Sequence, residues 1–214
     1  MREDIKDKGW VKKSLYPKTQ RVGTSKGIVL TEKLDGSNLG FFKLDGELHI
    51  ATRNRIYNID RLEQHEDLYK ELYKGLYEWL QEHGEELRNN INEKSCVFGE
   101  WIAMGRIKYG KEFCRFNPFA KANINEEYEI SKLNYDLGLI KYVFINQEIP
   151  NFMEVVPIVA QLENYPCLSE LDEIYSEYIK TKDRHVEGFV IRNGNEIKKY
   201  VRFKGGKMSE HIVQ

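Results

Sequence analysis

The chain has 214 residues, with 33 Lys+Arg against 34 Asp+Glu for a net charge of −1, and is long enough for one large domain or two small ones with a real core. Near-neutrality does not announce a nucleic-acid binder, and the widely spaced Cys96, Cys114 and Cys167, with no C-x-x-C, argue against a zinc ribbon or a disulfide framework. No apolar run approaches the ~20 residues of a bilayer span, and the charged start Met1-Arg2-Glu3-Asp4 is not a signal peptide; a soluble, cytoplasmic protein with no membrane partner is expected.

Residues 1–20 read as a charged arm anchored by Trp10, Leu15, Tyr16 and Pro17. Gly27-Ile28-Val29-Leu30-Thr31 reads as a strand that delivers Lys33 into a turn, with the carboxylates Glu32 and Asp35 around it and Gly36 allowing close backbone approach. Ser37 and Asn38 then supply hydroxyl and amide groups suited to a nucleotide. A lysine in water titrates near ~10.4, so it becomes a nucleophile at neutral pH only where a neighbouring cation or burial favours the neutral amine. By itself K-x-D-G also fits a solvated turn.

Residues 39–44, Asp45-Gly46 and residues 47–53 form a predicted hairpin, since Asp-Gly accepts the positive dihedral angles of a two-residue turn, and Arg53 falls at its end. Asp60-Arg61-Leu62-Glu63 has the form of a capping box, and Leu68, Leu72, Leu76 and Leu80 continue it as a helix that Gly84 should stop. Tyr69, Tyr73 and Trp79 broaden its apolar face, while His65 and His83 read as surface residues. Acids predominate from Asp60 to Glu93, whereas Lys198, Lys199, Arg202, Lys204 and Lys207 make a basic segment that serves as a phosphate site or a solvated strand face.

Residues 94–103 read as a buried strand containing Glu100, which at that depth needs a ribose hydroxyl, a backbone group or a lysine. Phe113, Phe116 and Phe119 at threefold spacing give an apolar wall or core filling, and residues 141–145 and 153–156 read as strands. Ser169-Glu170-Leu171-Asp172 opens a second helix through Ile174, Tyr178 and Ile179. Residues 186–192, a turn at Asn193-Gly194 and residues 196–204 make a second hairpin. The expected fold is α+β, mainly antiparallel sheets with flanking helices, as a single domain over residues 1–214.

Taken in order, these motifs resemble those of the covalent nucleotidyltransferase superfamily of polynucleotide ligases and messenger-RNA capping enzymes. Most closely they resemble the ATP-dependent RNA ligases of the type-two branch known from phage. Lys33-Leu34-Asp35-Gly36 is similar to the nucleotidyl-lysine motif, with Glu32 before it and Asn38 after it as in the RNA ligase branch. Arg53 resembles the arginine of the following hairpin, Phe98-Gly99-Glu100 the third motif and Arg115-Phe116-Asn117-Pro118-Phe119 the aromatic one. Glu187-Gly188-Phe189-Val190-Ile191-Arg192 resembles the fourth, and Val201-Arg202-Phe203-Lys204-Gly205-Gly206-Lys207-Met208-Ser209-Glu210 the last.

The resemblance implies a nucleotidyltransferase fold, an ATP-grasp-like adenylation domain. It implies that Lys33 attacks the α-phosphorus of ATP, expels pyrophosphate and carries AMP, which passes to a 5′-phosphate before a 3′-hydroxyl seals the strand. Glu32 would meet the adenine edge, Phe119 or Phe116 would stack on the base, and Asn38, Glu100 and Arg53 would serve the nucleotide. Arg202 and Lys204 would grip the α-phosphate, with Lys204 and Asp35 as catalytic partners of Lys33. Magnesium or manganese would be held through water by Glu187 and Glu100. The implied partners are RNA ends in a nicked or bridged duplex, in RNA repair.

Two departures matter. Arg202 stands where the pattern has a lysine, keeping charge while giving up a proton poorly. After Gln214 there is no length for an oligonucleotide-binding barrel or a helical carboxy-terminal domain, so RNA binding is expected from this domain or from a partner protein. The alternatives are a minimal DNA ligase and a degenerate nucleotide- or end-binding module; a capping guanylyltransferase fits less well.

Overall fold

The computed structural model describes residues 5, 8–15, 27–64, 68, 73–103, 105, 107–111, 113–194, 196–204 and 207–213, with the backbone alone at 62–64, 204 and 207–213. Tyr16, Pro17, His65, Tyr69 and Leu72, singled out above, lie outside the described residues. In chain order the strands are β1 (Trp10–Val11), β2 (Ile28–Glu32), β3 (Ser37–Leu44), β4 (Glu47–Ala51), β5 (Ile56–Asn58) and β6 (Ser95–Trp101). They continue with β7 (Phe116–Ile124), β8 (Ile130–Asn134), β9 (Ile158–Leu162), β10 (Gly188–Asn193), β11 (Glu196–Lys204) and β12 (Lys207–Val213). Two helices lie wholly within the described residues, α1 (Leu76–Asn90) and α2 (Leu168–Lys180). Two compact units result: the first comprises Met1–Pro17, Gly36–Met104 and Cys114–Val155, the second Lys18–Asp35, Gly105–Phe113 and Val156–Gln214. The architecture is α+β with two antiparallel sheets, as expected.

In the first unit seven antiparallel strands run in the order β1-β5-β4-β3-β6-β7-β8. The expected hairpin is β3–β4, closed by Asp45 (φ 55) and Gly46 (φ 77) between Leu44 and Glu47. Helix α1 buries Leu76, Trp79, Leu80 and Leu87 against Leu39, Phe41, Trp101 and Phe116.

The helix expected from Asp60 begins instead at Leu76. Ile59–Gln64 is a 3-10 segment with Arg61 off helical geometry at φ −120, and Gly75 at φ 81 makes a left-handed entry to α1. Nor does Gly84 stop it. A helical glycine costs about 1 kcal/mol, less than the ~1.5–3 kcal/mol that a buried leucine such as Leu87 returns beyond it. His83 is not a plain surface residue, since its ring stacks on Phe152 at 4.2 Å.

The expected strand at 141–145 is absent. Asp136 accepts the N–H of Gly138 at 2.9 Å and starts the 3-10 segment Leu137–Val143, leaving Phe144 one isolated bridge to Ile91. Residues 153–156 likewise contribute only the bridge of Met153 to Phe116. β8 and β9 were not anticipated, because neither Ile-Ser-Lys-Leu-Asn nor Ile-Val-Ala-Gln-Leu buries a clean alternating face.

The second unit has five antiparallel strands in the order β12-β11-β10-β2-β9. The hairpin β10–β11 is the second one expected. Helix α2 packs Leu171 and Tyr175 on Ile28, Leu30, Phe189, Ile191 and Tyr200. Its cap lies two residues before the expected Ser169: Cys167 donates its N–H to Glu170 at 2.7 Å. No helix among the described residues is long and apolar enough to cross a membrane.

His49 gives the first unit a dependence on pH. Its ring stacks on Phe42 at 4.9 Å, its Nδ1 lies 3.1 Å from the Glu47 carbonyl, and its Nε2 has no hydrogen-bond partner. Burial pushes the imidazole down to about 4, against the pull of the Glu47 carbonyl and the charges of Asp45, Asp60 and Glu93. The unfolded chain takes up this proton near pH ~6.5 and the folded one does not, so stability is full above that pH and falls as pH drops towards 4, by about 3 kcal/mol. Urea titrations between pH 7 and 4 should show this slope in the native chain and a shallower one in His49→Phe.

Candidate active site

Strand β2, paired on both sides within the sheet of the second unit, ends at Glu32 and presents Lys33 just beyond it. Thr31 and Glu32 are buried, a register shift against β9 falls between Leu30 and Thr31, and Lys33 leaves the strand with its N–H donated to the Gly188 carbonyl at 2.9 Å. Its Nζ meets the Glu187 carboxylate at 2.5 Å, with the two side chains 20% and 15% exposed. Glu187 is itself pinned, because its carbonyl receives the N–H groups of Arg202 at 2.9 Å and Phe203 at 3.0 Å. Gly188 must be glycine: its φ is +150, and a Cβ there would stand 1.9 Å from the Tyr200 carbonyl oxygen.

Glu32 and Asp35 flank the lysine and are both engaged. Glu32 is buried and receives Arg184 on both oxygens, at 2.5 and 3.1 Å, together with the Tyr178 hydroxyl at 2.8 Å. Asp35 donates its N–H to the Tyr109 oxygen at 2.7 Å and accepts the Ile107 N–H on Oδ2 at 2.9 Å. Burial above all raises the Tyr109 and Tyr178 phenols, which therefore remain protonated at neutral pH. Arg192 is buried in β10 and donates from Nε to Thr31 at 3.1 Å.

Arg202, expected at a phosphate, pairs with Asp172 of α2 at 3.3 Å, and Tyr200 donates its hydroxyl to the same carboxylate. Alternation along β11 puts Tyr200 and Arg202 on the helix-packed face. Lys204 lies in β11 opposite Lys207, and its side chain is outside the described residues.

The first unit gathers the other expected residues. Asn38 stands opposite Glu100 across β3 and β6, and Gly36 admits no side chain because a Cβ would approach the Trp101 carbonyl oxygen to 2.4 Å. Tyr73 donates its hydroxyl to the Asn38 carbonyl at 2.9 Å. Burial first, then the nearby Glu100 charge, push that phenol up to about 12, against a hydrogen bond from the Arg53 backbone. Asn38, Arg53, Tyr73 and Glu100 thus share one neighbourhood. Glu100 is half-buried instead of sealed in the strand, and Arg53 is exposed beyond β4. Phe116 is fully buried, edge-on to Phe41 at 4.9 Å, so of the two candidate stacking rings Phe119 keeps the accessible surface. Among the described residues no group of three or more His, Cys, Asp or Glu side chains gathers as a metal cage.

The family model for RNA ligase matches residues 26–205. The chain belongs to the RNA ligase family. Among solved structures, an archaeal ATP-dependent RNA ligase is 15% identical with a TM-score of 0.51, over 87% of this chain and 48% of that one, a likeness of fold. A Naegleria gruberi RNA ligase mutant with ATP and Mn is 17% identical with a TM-score of 0.48, over 83% of this chain and 50% of that one. The chain thus spans about half the length of the structures it matches. No match was found among curated proteins.

The motifs singled out Lys33, Glu187 and Glu100, whereas Tyr73 and Tyr178 read only as helix residues and Arg184 and Tyr109 drew no reading. Each of these last four acts on a residue remote in sequence and belongs to no short pattern. The close approach at Gly188 is directly testable. Gly188→Ala should lower stability by about 2 kcal/mol or more in urea unfolding, whereas Gly194→Ala, at φ +58 with nothing within 4 Å, should cost only about 1 kcal/mol.

Proposed function

We propose that the chain is the adenylylation domain of an ATP-dependent RNA ligase, with Lys33 as the covalent nucleophile. The observation that carries the reading is the Lys33–Glu187 pair: a partly exposed amine at the end of β2, held by backbone at one end and by a carboxylate at the other. In the first step the Lys33 ammonium, held by Glu187, gives up a proton to solvent, and the freed Nζ lone pair forms a bond to the α-phosphorus of ATP. The bond to the bridging oxygen breaks, pyrophosphate leaves, and a second proton of the amine is lost to solvent or to the leaving group. AMP held on Lys33 then passes to a 5′-phosphate, and a 3′-hydroxyl displaces AMP to seal the strand. Phosphoryl transfer depends on placement and charge neutralisation more than on proton transfer, which suits an amine whose position is held by two independent contacts.

Glu187 and Glu100 each keep the accessible surface that a carboxylate needs to hold a divalent cation through water. Magnesium or manganese would be held through water by these carboxylates and would neutralise charge on the phosphates. Asn38, Arg53, Glu100 and Phe119 are assigned to the nucleotide, Lys204 to the α-phosphate, and Asp35 to orientation of the reacting groups. Arg202 is assigned a structural part, since Asp172 already holds its guanidinium. RNA ends are the proposed partners.

Incubation with α-labelled ATP and magnesium, followed by denaturing electrophoresis and intact mass, should show one AMP on the native chain and none on Lys33→Ala. Glu187→Gln should slow adduct formation by about 10- to 100-fold, and chelation of the metal should abolish it. On nicked duplexes, a requirement for ribose at the 3′-hydroxyl marks an RNA ligase. Sealing of deoxyribose ends equally well would mark a minimal DNA ligase, and an adduct that never seals a strand would mark an end-binding module.

A further inference from the structure

Arg184 belongs to none of the motifs that led to the site, yet it contacts Glu32, on one side of the nucleophile, and Tyr109, which is bonded to Asp35 on the other. Its guanidinium takes the two oxygens of Glu32 as a fork, Nη1 to Oε1 at 2.5 Å and Nη2 to Oε2 at 3.1 Å, and Nη1 also donates to the His185 carbonyl at 3.3 Å. The Glu32 side chain is 0% exposed and that of Arg184 is 14% exposed. A carboxylate at that depth requires a bound cation or a proton, and a bidentate guanidinium supplies charge and direction together. The same guanidinium lies over the rings of Tyr109 at 4.6 Å and Phe113 at 5.6 Å. Tyr109 in turn receives the N–H of Asp35. One side chain therefore braces the residue before Lys33 through Glu32 and the residue two after it through Tyr109.

We infer that Arg184 is a positioning residue for Lys33, and that Glu32 is its internal counterion instead of the reader of a nucleobase edge. Three of the roughly four acceptor sites of the Glu32 carboxylate are taken, two by Arg184 and one by Tyr178, and none of its surface is open to a ligand. Base selection then falls to other groups. Loss of Arg184 strands a buried negative charge one residue from the nucleophile, and loss of Glu32 strands the cation. The kinetic part of this inference rests on the adenylylation reading; the pairing does not.

The test is a cycle of Arg184→Met, Glu32→Gln and the double variant, with Arg184→Lys as the conservative change. Lysyl-AMP formation is followed by intact mass over a range of ATP and GTP concentrations, and melting temperature is measured on the same samples. Arg184→Met should lower the maximal rate about tenfold or more while the half-saturating ATP concentration stays within about threefold. Arg184→Lys should recover part of the rate, because an ammonium matches a carboxylate less well than a fork does. The double variant should recover most of it and still prefer ATP to GTP. A double variant that loses the preference for ATP overturns the inference, because Glu32 would then be reading the base. So does an Arg184→Met that weakens ATP saturation at an unchanged maximal rate, because Arg184 would then be a ligand contact. If the native chain forms no adduct, the functional reading fails and melting decides the pairing. Each single variant should then lower the melting temperature by about 4 °C or more, with the double variant less destabilised than their sum; additive losses overturn it.

Discussion

The second unit is organised by what the dipeptide Glu187-Gly188 does to Lys33. The Gly188 carbonyl takes the lysine's backbone N–H and the Glu187 carboxylate takes its Nζ, so two neighbouring residues hold the backbone and the side-chain tip of one residue. The first contact sets the path of the backbone and the second sets the direction of the amine. Both depend on a missing side chain, since β11 passes so close to Gly188 that the Tyr200 carbonyl occupies the space a Cβ would need. The N–H groups of Arg202 and Phe203 both converge on the Glu187 carbonyl, at the point where the register of β11 against β12 also shifts. Sheet geometry, not the flexible lysine stem, thereby carries the placement of the reactive group.

Around that contact the unit keeps its charges in matched sets. Glu32 is matched by Arg184 and Tyr178, Asp172 by Arg202 and Tyr200, and Arg192 donates to Thr31. Removing Arg184 from its set is far costlier than the set's net contribution, because the remaining Glu32 charge is already out of water. The phenols act as neutral donors and acceptors throughout, which lets them satisfy a carboxylate or an amide without adding charge near the nucleophile. In the first unit Tyr73 does the same for the Asn38 carbonyl beside Glu100.

What was legible in the sequence was what local chemistry decides. Asp45-Gly46 and Gly194 announce their hairpins because positive φ favours very few residue types, and β2 and β6 are short apolar runs beside recognisable motifs. Lys33, Glu187 and Glu100 stand out for the same reason, each within a short motif. The start of α1 was misread because Gly75 outweighs the capping pattern at Asp60, and residues 141–145 were misread because Asp136 redirects the chain before an apolar run that reads as a strand. β9 could not be read at all, because its membership of the sheet is decided by β2 and not by its own residues. Arg184 was invisible for a related reason: a lone arginine shows its partner only once β2 and the end of α2 are folded together.

The pairing of β2 also governs when the reactive centre can exist. Leu30 pairs with Ala160 on one side and with Ile191 on the other, so both neighbours of this strand are synthesised long after it. Contacts so distant in sequence gain nothing until a large loop has closed, which makes their formation slow compared with a hairpin such as β3–β4 that closes over two residues. During synthesis β2 therefore waits with both edges open, the state in which apolar strands associate with the wrong partners. Lys33 is made well before residues 187 and 188, and it acquires its carboxylate and its carbonyl only when they arrive.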